Sequence, residues 1–159
     1  MDLNQTELTL LNGMQTTFGT LAKPVTLVVN VASRCGLSPQ YETLEAMQKK
    51  YGSKGFTVIG MPSNSFLQEL KDASDISDYC STTWGVTFPM TEKVKVNGKD
   101  THPLYQQLKK TKDSSGKAGN VKWNFEKFLV LADGTVHRFR PTTKPDDHEI
   151  ISLIEANLK

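Results

Sequence analysis

Cysteine is nearly absent: the chain of 159 residues holds two, Cys35 and Cys80. A disulfide framework of the kind that staples small secreted domains needs more. A chain of this length can bury roughly 68–70% of its unfolded surface, so its core needs no disulfide or metal. Neither sign of charge dominates. Nineteen Lys and Arg against seventeen Asp and Glu leave a net charge of +2, too little to argue for a nucleic-acid partner, and no basic run is interleaved with aromatics. The longest apolar stretch, residues 25–32, is far short of the roughly 20 residues of a membrane-spanning helix. Residues 1–12 carry acids and amides in place of a basic stretch followed by an apolar run, so no targeting segment is expected and a cytoplasmic location is. His102, His137 and His148 are scattered, and with two distant cysteines they make none of the short spacings of zinc sites. Each histidine is expected at the surface or in an ordinary hydrogen bond, and no metal or cofactor is expected. Repeats, low-complexity tracts and linkers are missing too, so residues 1–159 are expected to form one domain.

What is present is an alternation of strand and helix signals. Asn12-Gly13 between residues 7–11 and 14–18 favours a two-residue hairpin turn, since both central positions must tolerate positive φ. The β-branched run Val25-Thr26-Leu27-Val28-Val29-Asn30-Val31 predicts a strand buried on both faces. Ser38-Pro39 has the form of an N-cap followed by proline at the first helical position, opening a helix through Tyr41, Leu44, Met47 and Gln48 that stops near Tyr51-Gly52. Residues 56–61 predict a second buried strand. A short helix over 75–83 places Ile76, Tyr79 and Cys80 on one face. Residues 103–110 predict another helix and 112–119 a polar loop. Residues 125–132 and 135–139 predict a hairpin around Asp133-Gly134, and 148–158 a terminal helix with Ile150, Ile151, Ile154 and Leu158 on one side. The order implies an α/β fold with a central mixed sheet flanked by helices.

Cys35 falls just past the C-terminal end of the first buried strand and just before a helix, where α/β folds place their sites. Thiolate is the reactive form of cysteine, and unpaired N–H groups at a helix N-terminus favour it. Arg34 adds to this if its side chain turns inward, and Gly36 leaves space beside the sulfur. The plainer alternative is that Cys35 is a small core residue. Cys80, on an amphipathic face, is by itself more in keeping with core than with chemistry. In a reducing compartment the two are free thiols or a redox pair. Asn64 and Gln68 follow the second strand and offer amide donors, though such amides commonly serve turns and caps. Trp123 and Asn124 place an indole N–H and an amide side by side, two donors that do not ionise and that suit a developing negative charge; a packed aromatic beside a turn asparagine is the alternative. Glu126 and Lys127, like Lys109 and Lys110, are expected to be solvated.

Four blocks, in order along nearly the whole chain, carry a resemblance. They are Asn30-Val31-Ala32-Ser33-Arg34-Cys35-Gly36-Leu37, Trp84-Gly85-Val86-Thr87-Phe88-Pro89-Met90, His102-Pro103-Leu104-Tyr105, and Trp123-Asn124-Phe125-Glu126-Lys127-Phe128-Leu129. Together they resemble the glutathione peroxidase family in its cysteine form, Cys35 standing where animal members carry selenocysteine. The resemblance implies a thioredoxin-like fold with an N-terminal hairpin, and a tetrad of Cys35, Gln68, Trp123 and Asn124. The 63–71 segment departs from the family pattern: Ser63 replaces a cysteine, Ser65 a glutamine, and Leu70-Lys71 a Pro-Gly pair, with one residue fewer. Cys80, in Tyr79-Cys80-Ser81-Thr82-Thr83-Trp84, matches the position of the resolving cysteine of thioredoxin-dependent members. The short 112–119 loop is similar to the deletion of monomeric members, and implies a site open to lipid hydroperoxides.

The expectation is therefore a thiol peroxidase without a cofactor. Cys35 reduces hydrogen peroxide or an organic hydroperoxide and becomes a sulfenic acid; Cys80 condenses with it to a disulfide, and thioredoxin reduces that. Two rivals use the same residues: a glutathione-dependent peroxidase that does not need Cys80, and a redox sensor that hands its oxidation to another protein. A dithiol reductase is disfavoured by the lack of a Cys-x-x-Cys pair.

Overall fold

The computed structural model describes residues 3–158. The chain runs β1 (Glu7–Thr9), β2 (Gln15–Thr17), α1 (Phe18–Leu21), β3 (Val25–Val31), α2 (Gln40–Tyr51), β4 (Phe56–Pro62), α3 (Ala73–Tyr79), α4 (Pro103–Leu108), β5 (Lys127–Leu131), β6 (Val136–Phe139) and α5 (His148–Asn157). β1 and β2 form a separate antiparallel hairpin; the main sheet has the order β4-β3-β5-β6. β3 and β4 are parallel, with Val25 opposite Phe56, and a parallel pair needs a crossover, which α2 supplies. β5 runs antiparallel to β3 and β6 antiparallel to β5.

All seven residues of β3 and all seven of β4 are buried, as continuous apolar runs covered on both faces should be. Alternation splits their side chains between two cores. On one face Val25, Leu27, Val29 and Val31 pack with Tyr41, Leu44, Phe56, Ile76, Leu129, Ile150 and Ile154, under α2, α3 and α5. On the other, Val28, Ile59, Met61 and Phe128 meet Leu8, Phe18, Leu104, Tyr105 and Leu108, under the hairpin, α1 and α4. Truncating one such buried leucine costs about 2–5 kcal/mol, so both layers hold the sheet in place. Cys35 and Cys80 belong to the first.

Five local expectations need correction. The first hairpin closes through a three-residue loop, Leu11-Asn12-Gly13, with Leu10 N–H donating to Met14 O at 2.8 Å and Gly13 alone at positive φ, 89°. The β5–β6 turn repeats this pattern: Leu131 N–H meets Thr135 O at 2.9 Å and Gly134 has φ 87°. In both, glycine takes the left-handed residue that ends the loop. α2 begins at Gln40, with Pro39 in the cap position, because the Ser38 hydroxyl donates instead to Ala32 O at 2.9 Å. The third helix starts two residues earlier than expected, at Ala73, and from Cys80 to Trp84 it widens into a π-helical turn that ends at Gly85 with φ 63°. β5 starts at Lys127, not at 125, since Phe125 has φ 67°, which no strand residue adopts.

Candidate active site

Residues 32–39 link β3 to α2 and carry Cys35. The turn is built by its own hydrogen bonds. Cys35 O accepts the Ser38 N–H at 3.0 Å, and the Leu37 N–H donates to Cys35 Sγ at 3.3 Å. The sulfur thus accepts a backbone N–H from the linker that leads into α2. Cys35 is 6% exposed, while Arg34 points into solvent and does not add its charge to the sulfur from inside.

The segment after β4 clasps this turn. Arg34 N–H donates to Gln68 O at 2.8 Å. Ser33 donates twice to Glu69 Oε1, from its N–H at 3.0 Å and its hydroxyl at 2.5 Å. Burial pushes the Glu69 carboxyl up, against those hydrogen bonds from Ser33 and Leu70. Asn64 serves the loop itself, its Oδ1 accepting the Glu69 N–H at 3.0 Å. The Gln68 side chain turns to the third arm of the site: its Oε1 accepts Asn124 Nδ2 at 3.1 Å.

That third arm, residues 122–126, is tied to the end of β3 by Asn30. Asn30 Nδ2 donates to Trp123 O at 3.0 Å, Asn30 O accepts the Phe125 N–H at 2.6 Å, and Asn30 Oδ1 accepts the Glu126 N–H at 3.1 Å. Asn124 is fully buried, and its Oδ1 has no partner among the described residues. Trp123 is 38% exposed and lies against Phe66, ring centroids 5.0 Å apart. The structure therefore brings Gln68 and Asn124 into direct contact, one residue from Cys35 through Arg34, with Trp123 next along the chain at the surface.

Cys80 lies behind α2. It is 2% exposed and also lines a cavity of about 280 Å³ with Val86, Phe88 and Met90. Burial pushes its thiol up to about 11, the Tyr41 hydroxyl opposing and Glu69 adding to the rise. Tyr41 bridges the two regions: its ring meets Phe125 edge-on at 5.4 Å and stacks on Trp84 at 6.3 Å. Both cysteines are free thiols.

Three features escape a reading of the sequence. Glu126 and Lys127, expected in solvent, are both fully buried. The Glu126 carboxylate pairs with Arg138 and Arg140 and accepts the Lys122 N–H; the Lys127 ammonium donates to Pro141 O at 2.7 Å. Asn30 and Glu69 act as anchors. An Asn inside a β-branched run was the available signal for the first, since a buried amide there needs partners. Nothing local marks the others. Among the described residues no three of His, Cys, Asp and Glu gather as a metal-binding group, and no helix is long and apolar enough to cross a membrane.

A mixed four-stranded sheet, helices on both faces and a cysteine on the β3–α2 turn define a thioredoxin-like protein with a thiol site. Comparison with known proteins narrows the class. The family model described as glutathione peroxidase matches residues 3–109. The Escherichia coli thioredoxin/glutathione peroxidase BtuE is 44% identical over 93% of this chain and 92% of its own. The Synechocystis hydroperoxy fatty acid reductase Gpx2 is 44% identical over 96% of this chain and 97% of its own. Among solved structures, Trgpx in apo form matches with a TM-score of 0.74 and 35% identity, covering 100% of this chain and 99% of that one. The chain belongs to the glutathione peroxidase family, and it is a peroxidase.

Proposed function

We propose that the protein reduces hydroperoxides through Cys35, with Gln68, Trp123 and Asn124 as donors, Cys80 as resolving cysteine and thioredoxin as the reductant. The observation that carries this is Gln68, whose side chain pairs with Asn124 while its backbone carbonyl accepts the Arg34 N–H beside the cysteine. The Cys35 thiolate attacks the terminal peroxide oxygen. The O–O bond breaks, the sulfur keeps that oxygen as a sulfenic acid, and the departing alkoxide or hydroxide takes a proton to leave as alcohol or water. Neutral N–H donors aimed at the peroxide stabilise the charge on the departing oxygen without competing for its proton. Among the described residues the Trp123 indole N–H has no protein acceptor, and Gln68 uses only its carbonyl oxygen on Asn124. Both donors therefore remain for substrate.

Cys80 then attacks the Cys35 sulfur. A disulfide forms, the S–O bond breaks, and the thiol proton of Cys80 leaves with the hydroxyl group as water. A buried thiol held near 11 is a poor nucleophile. The helical turn carrying it therefore opens first, and the wide π-helical turn from Cys80 to Trp84 is where such local opening begins. Thioredoxin reduces the disulfide by exchange; that a relative of high coverage is called a thioredoxin/glutathione peroxidase supports this choice. The protein acts as a monomer in the cytoplasm, the short 112–119 loop supporting the first. NADPH-coupled turnover with thioredoxin and with glutathione, on hydrogen peroxide and a fatty-acid hydroperoxide, tests the cycle. Cys35→Ser abolishes turnover with both reductants. Cys80→Ser loses turnover with thioredoxin; full thioredoxin turnover in that variant rules out the resolving role.

A further inference from the structure

We propose that Lys127 is a positioning residue for Cys35: its buried amine supplies a positive charge, on the α2 face of the sheet, that favours the cysteine anion. The inference rests on Cys35 being the nucleophile.

Lysine is almost never fully buried without an anionic partner. Lys127 is fully buried, and its Nζ has one acceptor among the described residues, the neutral carbonyl of Pro141 at 2.7 Å. The carboxylate next to it in sequence, Glu126, is committed to Arg138, Arg140 and the Lys122 N–H. Burial accordingly pulls the ammonium down to about 7, Glu126 opposing. A lysine so placed is only partly protonated at neutral pH, and a negative charge forming nearby raises that share.

The placement says where. Lys127 is paired with Val29 of β3 and, on its other side, with Phe139 of β6. Alternation puts its side chain on the face of Phe125 and Leu129, which is the α2 face that holds Cys35. Its acceptor, Pro141 O, also accepts Gln40 Nε2 at 3.1 Å, and Gln40 is the first residue of α2, one turn past the cysteine. The ammonium thus shares an acceptor with the first residue of the helix that follows the Cys35 turn. The other ionisable groups of that layer are committed or neutral. Glu45 binds Thr87 through both oxygens. Glu69 binds Ser33 and Leu70. Tyr41 and Cys80 are held protonated by burial. Tyr51 donates to Glu155. Lys144, Asp146, Asp147, His148 and Glu149 are in solvent, and Arg138 and Arg140 serve Glu126 on the other side. Among the described residues, Cys35 is the one uncommitted group of the layer that becomes an anion in the proposed cycle. The two titrations are then linked: each charge raises the population of the other.

The test is the pH profile of Cys35 alkylation by iodoacetamide, read by mass spectrometry of the Cys35 peptide, in the wild type, Lys127→Met and Lys127→Gln. Methionine removes both charge and donor; glutamine keeps a donor for Pro141 O without charge. Methionine removes a buried charge in favour of an apolar chain and glutamine keeps a hydrogen bond to Pro141 O, so both variants are expected to fold, with urea midpoints as the check. The expected result is a profile moved to higher pH by about one unit in both variants, a tenfold lower rate on the acid side of the midpoint. A shift in Lys127→Met alone makes the Pro141 contact, not the charge, responsible and overturns the proposal; an unmoved profile in both overturns it as well. Peroxide turnover of Cys35→Ser decides the nucleophile assignment separately, because the alkylation profile reads the Lys127 coupling whatever that variant does.

Discussion

Arg138 gives the sharpest test of what holds the Trp123-Asn124 arm. Its side chain is fully buried and its donors are spent on five acceptors: Glu126 Oε2 at 2.6 Å, Lys109 O at 3.3 Å, Thr111 O at 3.1 Å, Gly119 O at 2.8 Å and Asn120 O at 3.1 Å. Four of these are carbonyls of the loop between α4 and β5. The fifth is the carboxylate that holds the Lys122 N–H at 3.0 Å, one residue before Trp123. Arg138→Met removes all five bonds. The Glu126 charge stays buried with Arg140 Nη1 at 3.0 Å as its remaining cation. Breaking one partner of a buried pair costs about 3–5 kcal/mol, and the surviving Arg140 contact places this case at the lower end. At about 2–4 °C per kcal/mol for a domain of this size, the melting midpoint falls by roughly 6–12 °C. Adding Glu126→Met removes the stranded charge, so the double variant should recover part of the loss, since a buried pair replaced by apolar groups is often near neutral. Arg140 then keeps Asp113 at 2.9 Å. Calorimetry with urea unfolding reads both numbers. A single variant within about 1 kcal/mol of wild type, or a double variant no better than the single, refutes the ion pair as the loop's anchor.

Cys80 makes a pH prediction. Its folded thiol stands near 11, above the ordinary value of 9.0, so the folded state holds the proton more tightly than the unfolded one. The stabilisation from its burial is complete below about pH 8.5–9 and is lost as pH rises through 11; Cys80→Ala should flatten that part of the urea-midpoint profile. Leu67 makes a backbone prediction. It has φ 60° and is 85% exposed, so Leu67→Gly relieves left-handed strain with little lost packing and should stabilise the fold by about 0.5–1 kcal/mol after the entropy of glycine is counted. Equilibrium unfolding checks it, and a destabilised variant means that Leu67 makes a contact worth more than its strain.

The layers of this fold were legible because β3 and β4 are continuous apolar runs, and such runs have one stable use, between two covered faces. The placement of Cys35 was legible for the same reason, since it stands between the end of the run and the start of a helix. Boundaries were harder where side chains took tertiary partners. Ser38 has the sequence of a cap, yet its hydroxyl returns to the strand end at Ala32, and helix α2 starts later. Glu126 and Lys127 were misread because charge in a strand ordinarily marks a solvent face. Here Arg138, twelve residues away, and the Pro141 carbonyl supply their partners, and no local pattern encodes a pairing at that separation.

Gln68 is the proposed site residue on which sequence matching was least direct, because the 63–71 segment is altered; its place beside Asn124 and Arg34 follows from hydrogen bonding. Two arms reach the cysteine turn, one from β4 and one entering β5, and each bends through a non-glycine residue in the left-handed region: Leu67 at φ 60° just before Gln68, and Phe125 at φ 67° just after Asn124. These are the only non-glycine residues with positive φ among the described residues. Such strain, of order 1–3 kcal/mol each, persists only where surrounding bonds over-determine the backbone. The bonds are visible: Asn64 and Ser33 hold the first arm through Glu69, and Asn30 holds the second at three points. Both bends turn a side-chain amide toward the other arm, where Asn124 Nδ2 meets Gln68 Oε1. The strain at Leu67 and Phe125 thus accompanies the meeting of two amides, Gln68 and Asn124, on neighbouring arms.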